Sequence, residues 1–168
     1  MSMRNWPVVG AFAIAFGSAT AVAGDGPRLG KSITEADLAL WDISIGPDGV
    51  GLPSGSGTST QGAVVFAQKC ELCHGKEGKG GISAALAGPE RNVGNYVPHA
   101  TTIFDFTRRA MPWTQPKSLT NDEVYAVTAY ILALNGIIGE NDVMNAETLP
   151  KVKMPNRDGF LSRYPEKH

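Results

Sequence analysis

The sequence predicts an all-α domain with irregular extensions at both ends. Two observations carry that prediction. Helical apolar spacing appears in three blocks between residues 59 and 136, separated by Gly- and Pro-rich loops. The last block opens on Thr120-Asn121-Asp122-Glu123, a Thr-x-x-Glu capping box, and closes on Gly136.

The chain has 168 residues and a formal charge of −1. That is the size of one small domain with additions. A near-neutral balance points away from nucleic acid as a partner. Residues 1–23 read as a removable export signal. Arg4 is the positive start, Trp6 to Phe16 is apolar and uncharged, and Ala21-Val22-Ala23 is an A-x-A cleavage site. The apolar run is short for a bilayer span, and no second one follows, so a soluble periplasmic protein is expected.

Residues 24–58 read as an N-terminal extension and linker. Ile33 to Trp41 suggests one short helix capped by Thr34 or Ser32. Gly46-Pro47-Asp48-Gly49 is a turn, and Leu52 to Thr58 is rich in Gly and Ser, as linkers are. Trp41 carries the largest apolar surface there. Packing on the domain is expected for it, with a partner contact as the other reading.

In the first block Gly62, Ala63, Phe66, Ala67 and Cys70 follow helical spacing. A glycine within a helix costs about 1 kcal/mol relative to alanine, a cost that close approach of another helix would offset. The expected neighbour is the last helix, with Val124, Val127, Thr128, Ile131 and Leu134 as its stripe and Val127 and Tyr130 at the crossing.

The first helix ends in Cys70-Glu71-Leu72-Cys73-His74. This spacing is that of a covalent c-type haem: two thiols add to the vinyl groups and the adjacent imidazole ligates iron. A thioredoxin-like pair would open a helix instead. Zinc requires about four ligands, and the chain has only two cysteines, with His99 and His168 far away. A plain disulfide leaves His74 without a role.

Gly75 to Gly88 is a glycine-rich loop without the G-K-[ST] ending of a phosphate cradle. It is expected to fold round the haem edge. Gly88-Pro89 closes it, and the Pro89 carbonyl is the expected acceptor for the second His74 nitrogen. Pro98 to Ala110 reads as a middle helix stopped by Pro112, which presents Met111. Met111 is the expected second axial ligand, with core filling as its alternative. Met154, also followed by proline, is the next candidate, and His99 would give a bis-histidine site. Arg108, Arg109 and Trp113 are candidates to meet the haem propionates, or else form a solvated charge pair beside a packed tryptophan. The tail, residues 137–168, is expected to wrap the domain in extended form. Its Lys151, Lys153 and Arg157 suit an acidic partner or plain solvation.

Gly62, Phe66, the Cys70–His74 motif, Gly88-Pro89, Met111-Pro112, Val127 and Tyr130 together resemble a class I cytochrome c. The resemblance implies thioethers at Cys70 and Cys73, and His74 and Met111 as axial ligands. Trp41-Asp42-Ile43, Pro47 to Pro53, Arg109 to Trp113 and Met154 to Phe160 further resemble the cytochrome component of bacterial sulfur-oxidising (Sox-type) sulfite dehydrogenases, or the short subunit of a sulfite:cytochrome c oxidoreductase. In such enzymes a molybdenum subunit oxidises the substrate and the cytochrome takes the electrons, passing them to a downstream cytochrome or oxidase. The Sox component usually carries a second haem, whereas this chain has one CxxCH. The expected role is single-electron transfer without catalysis of its own. The rival is a haem enzyme with a labile sixth ligand acting on a sulfur compound or peroxide.

Overall fold

The computed structural model describes residues 29–161. The export-signal reading of residues 1–23 lies outside them. Two crossing helices carry the frame: α2 (Ser59–Lys69) and α6 (Asn121–Leu134). Around them are α1 (Glu35–Ala39), the one-turn α3 (Glu71–His74) and α4 (Val93–Tyr96), and α5 (Ala100–Ala110). A small antiparallel ribbon pairs β1 (Ser56–Thr58) with β2 (Val143–Asn145). No helix among the described residues is long and apolar enough to cross a membrane.

Four of the helices, α1, α2, α4 and α6, start on a side-chain cap. Thr58 caps α2 and Thr120 caps α6, each in a reciprocal capping box with the residue three further on, Gln61 or Glu123. Thr34 and Asp37 do the same for α1. Gly136 follows α6 at φ +65°, the left-handed conformation that ends a helix.

The crossing of α2 and α6 fixes the rest. A Cβ placed on Gly62 would lie 1.9 Å from the Ala126 carbonyl oxygen, so only glycine fits. Phe66 packs on Tyr130 with ring centroids 5.2 Å apart. The neighbours of Gly62 are therefore Ala126 and Tyr130. Val127 is buried in the main core beside them. At the far end of α2, Lys69 Nζ lies 2.6 Å from Glu123 Oε1. The Lys69 ammonium and the Thr120 backbone N–H hold the Glu123 carboxyl below its ordinary value of 4.5. A carboxyl lowered on folding contributes stability above its unfolded pKa and loses it as pH falls. Glu123→Gln should therefore flatten the loss of thermal stability below about pH 4.5, measured by circular dichroism from pH 6 to pH 3.

Three expectations are corrected. The Gly/Ser-rich stretch before residue 59 is not a free linker. Its end is β1, Tyr125 donates its hydroxyl to the Pro53 carbonyl at 2.9 Å, and Asp122 Oδ1 accepts from Ser56 N at 2.8 Å. Gly57 lies so close to α6 that a Cβ would meet Ala126 N at 2.3 Å. Small residues here serve close approach rather than flexibility.

Trp41, expected to pack on the domain, is 82% exposed. Helix α1 buries no residue, and the chain first enters the core at Ile45. The tail, expected to wrap the domain in extended form, also supplies core. Met144, Leu149, Val152 and Met154 are buried with Phe104, Leu132 and Ile131. Further on, Asn156 Nδ2 donates to the Tyr96 carbonyl and Phe160 meets Tyr96 edge-on. Leu149→Ala, at a fully buried position, should cost about 2–5 kcal/mol in a denaturant titration. A merely wrapped strand would lose almost nothing.

Candidate haem site

Helix α2 delivers the first thiol. Cys70 is its C-cap, bonded to the Phe66 carbonyl, and the chain turns at once into α3. That turn holds Cys73 and His74 through bonds from both of their N–H groups to the Cys70 carbonyl. Leu72, between the thiols, points outward and is 91% exposed. Both cysteines are free thiols and half-buried. Burial pushes the Cys70 thiol up to about 11, with Lys69 working weakly against it. Such a thiol is a poor thiolate at neutral pH, unlike the lowered pair of a thiol–disulfide enzyme.

The loop after the motif folds back on it. Ser83 N donates to the Cys73 carbonyl at 2.8 Å, and a Cβ on Gly81 would strike that same oxygen at 2.2 Å. The loop is anchored further along by Asn135, whose Nδ2 donates to the Leu86 carbonyl. His74 Nδ1 lies 2.9 Å from the Ala84 carbonyl oxygen. A carbonyl only accepts, so Nδ1 carries the proton and Nε2 keeps its lone pair. The partner is Ala84, correcting the expectation of Pro89, which is exposed. A backbone acceptor leaves no side-chain mark in a sequence. The local cue was the glycines that let the loop double back.

Met111 is the C-cap of α5, half-buried, with Trp113 79% exposed two residues on. His99 caps the other end of α5, about 18 Å away along the helix axis. Met154 is sunk in the core. Met111 is thus the candidate axial methionine that is not consumed by core packing. Arg109 is held by Asp105 one turn earlier in α5. Arg108 and Arg109 line a cavity with Ile43, Lys117, Leu119 and Asn121, and none of the motif residues lines it.

The donor set fits a haem. Among the described residues no group of three or more His, Cys, Asp or Glu is assembled to hold a metal ion. One imidazole, one thioether and two thiols suit a metal that arrives with its own ring of ligands.

Residues 57–131 match the family model of cytochrome c oxidase, cbb3-type, subunit III. A chain of the sulfane dehydrogenase SoxCD from Paracoccus pantotrophus superposes with a TM-score of 0.72 at 33% identity, over 83% of this chain and 72% of that one. The chain belongs to the class I c-type cytochromes. The likeness to the SoxCD chain covers more of the sequence than the family model does. Electron transfer is the role of this family of cytochromes, and haem c is its cofactor.

Proposed function

We propose that this cytochrome is an exported, periplasmic single-electron carrier that accepts electrons from a molybdenum-containing sulfur-compound dehydrogenase subunit and passes them to a downstream cytochrome or oxidase. The observation that carries the electron-transfer reading is the fixed imidazole. His74 has one nitrogen tied to Ala84 and the other free for iron, directly beside two thiols. Cys70 and Cys73 would form the thioethers, and His74 and Met111 would ligate the iron. When bound, haem supplies a one-electron couple. Methionine opposite histidine raises its potential, which suits an acceptor. With His74 and Met111 both holding the iron, substrate would have no route to the metal.

The sulfur partner rests on the likeness to a sulfane dehydrogenase. One CxxCH motif gives one haem.

The test is mass spectrometry of the exported protein with an absorption spectrum. The expected result is a coloured protein carrying one covalent haem, with no leader. An uncoloured chain of unmodified mass would overturn the reading. Native pull-down followed by a molybdenum assay tests the donor separately, and a molybdenum-free eluate would remove that partner while leaving the haem assignment standing.

A further inference from the structure

The His74 imidazole is oriented by the Ala84 carbonyl, and that carbonyl is itself held from both sides. On one side Ser83 N donates to the Cys73 carbonyl. On the other, Leu86 N donates to the Gly78 carbonyl at 2.9 Å, within the same loop. The Leu86 carbonyl accepts from Asn135 Nδ2 at 2.9 Å, a tie that leaves the loop for the end of α6. A continuous path thus runs from Asn135 through Leu86 and Ala84 to His74.

The Asn135 amide is fixed in its turn. Its nitrogen also donates to the Ile131 carbonyl at 2.8 Å. Both acceptors are carbonyls, which cannot donate, so the amide nitrogen must face them and the group cannot flip. Gly94, in α4, lies against the same amide: a Cβ there would stand 2.3 Å from Asn135 Cγ and 2.4 Å from Nδ2. Gly94 does not adopt a left-handed φ, so glycine serves closeness at that position. Bracing the end of α6 requires only the bond to Ile131. The donor that crosses to Leu86 is left over by that role, and it reaches the loop that orients the imidazole.

We propose that Asn135 is a positioning residue for the His74 ligand. By holding Leu86 it sets where the Ala84 carbonyl stands, and so how strongly His74 Nδ1–H is bound. A firm acceptor on Nδ1 raises the basicity of Nε2, which favours ferric over ferrous iron and lowers the potential. The end of α6 thereby sets part of the haem potential through a backbone carbonyl. This role rests on the haem reading given above.

The experiment measures the reduction potential of the full, haem-loaded protein by spectroelectrochemistry. Asn135→Leu keeps the size of the side chain and removes both donors. Gly94→Ala leaves Asn135 unchanged but displaces its amide, and it decides alone if Asn135→Leu does not fold. Each variant should shift the equilibrium toward the reduced form about three- to tenfold, about 30–60 mV upward at 59 mV per tenfold. Exchange of the His74 Nδ1 proton, followed by NMR of the reduced protein, should quicken in both. Leu149→Ala, whose expected defect is packing in the tail, should lose stability while keeping the potential and the exchange rate. A purely structural Asn135 would behave as Leu149 does. A coloured protein whose potential stayed within twofold, or fell, in both variants would overturn the proposal and leave the haem reading standing. An uncoloured native protein would overturn both.

Discussion

Gly62→Ala will lower the melting temperature of the haem-loaded protein by roughly 10 °C, corresponding to about 3 kcal/mol at 2–4 °C per kcal/mol. Alanine is the better helix former, and on propensity alone the change would stabilise α2 by about 1 kcal/mol. Sterics reverse the sign. The new methyl would sit 1.9 Å from the Ala126 carbonyl oxygen and 2.5 Å from its carbon. Both are backbone atoms in the middle of α6, so no rotamer change relieves the overlap. The helices must part, and Phe66 then loses its seat on Tyr130. Overpacking of this kind typically costs 1–3 kcal/mol and sometimes more. Because α2 ends on Cys70, the same variant should also carry less covalent haem per chain, read from its absorbance ratio. Val64→Ala, on the 58% exposed face of the same helix, should change stability by no more than about 0.5 kcal/mol. If Gly62→Ala melted like Val64→Ala, the crossing would not be the support described above.

The helical frame was legible because its signals are local. The capping box at Thr120–Glu123, the stop at Gly136 and the run from Gly62 to Cys70 each lie within a few turns of chain. Even the identity of the crossing partner could be read, through the cost of a mid-helix glycine, although the contact falls on Ala126 rather than Val127. What was illegible is long-range. Leu52 to Thr58 has the composition of a linker, and composition does not distinguish a glycine chosen for freedom from one chosen for closeness. Gly57 is of the second kind. It and Gly62 press on the backbone of the same residue, Ala126. The burial of Met144, Leu149 and Met154 was hidden for a related reason. The tail has neither helical nor strand period, so nothing local marks which of its apolar residues turn inward. In the site, the thiols and His74 were plain from spacing. The Ala84 carbonyl was not, since any residue supplies one. Asp105 was readable as an i, i+4 partner for Arg109.

Met111→Ala separates the electron-carrier reading from the enzyme reading, and its expected effect is close to all-or-none. With Met111 as the proposed sixth ligand, the reduced form of the native protein should take up no carbon monoxide. In Met111→Ala it should take up about one per haem, the weak near-red sulfur-to-iron band should vanish, and the reduction potential should fall with loss of the thioether. Met111 follows the last turn of α5 and is only half-buried, so its truncation leaves a smaller packing defect than a core methionine would. Met154 supplies the comparison. It is 3% exposed and sits in the core formed by the tail. Met154→Ala should therefore reverse the pattern, costing about 2–5 kcal/mol of stability while leaving the near-red band and the resistance to carbon monoxide intact. The two variants move different observables because the two sulfurs serve different ends, one presented by a loop and one packed by the fold. If the band survived in Met111→Ala and was lost in Met154→Ala, the ligand would be the tail methionine, and the tail rather than the loop after α5 would close the site. If the native protein itself bound carbon monoxide at once, iron would have an open position, and chemistry at the metal would replace charge transfer as the function.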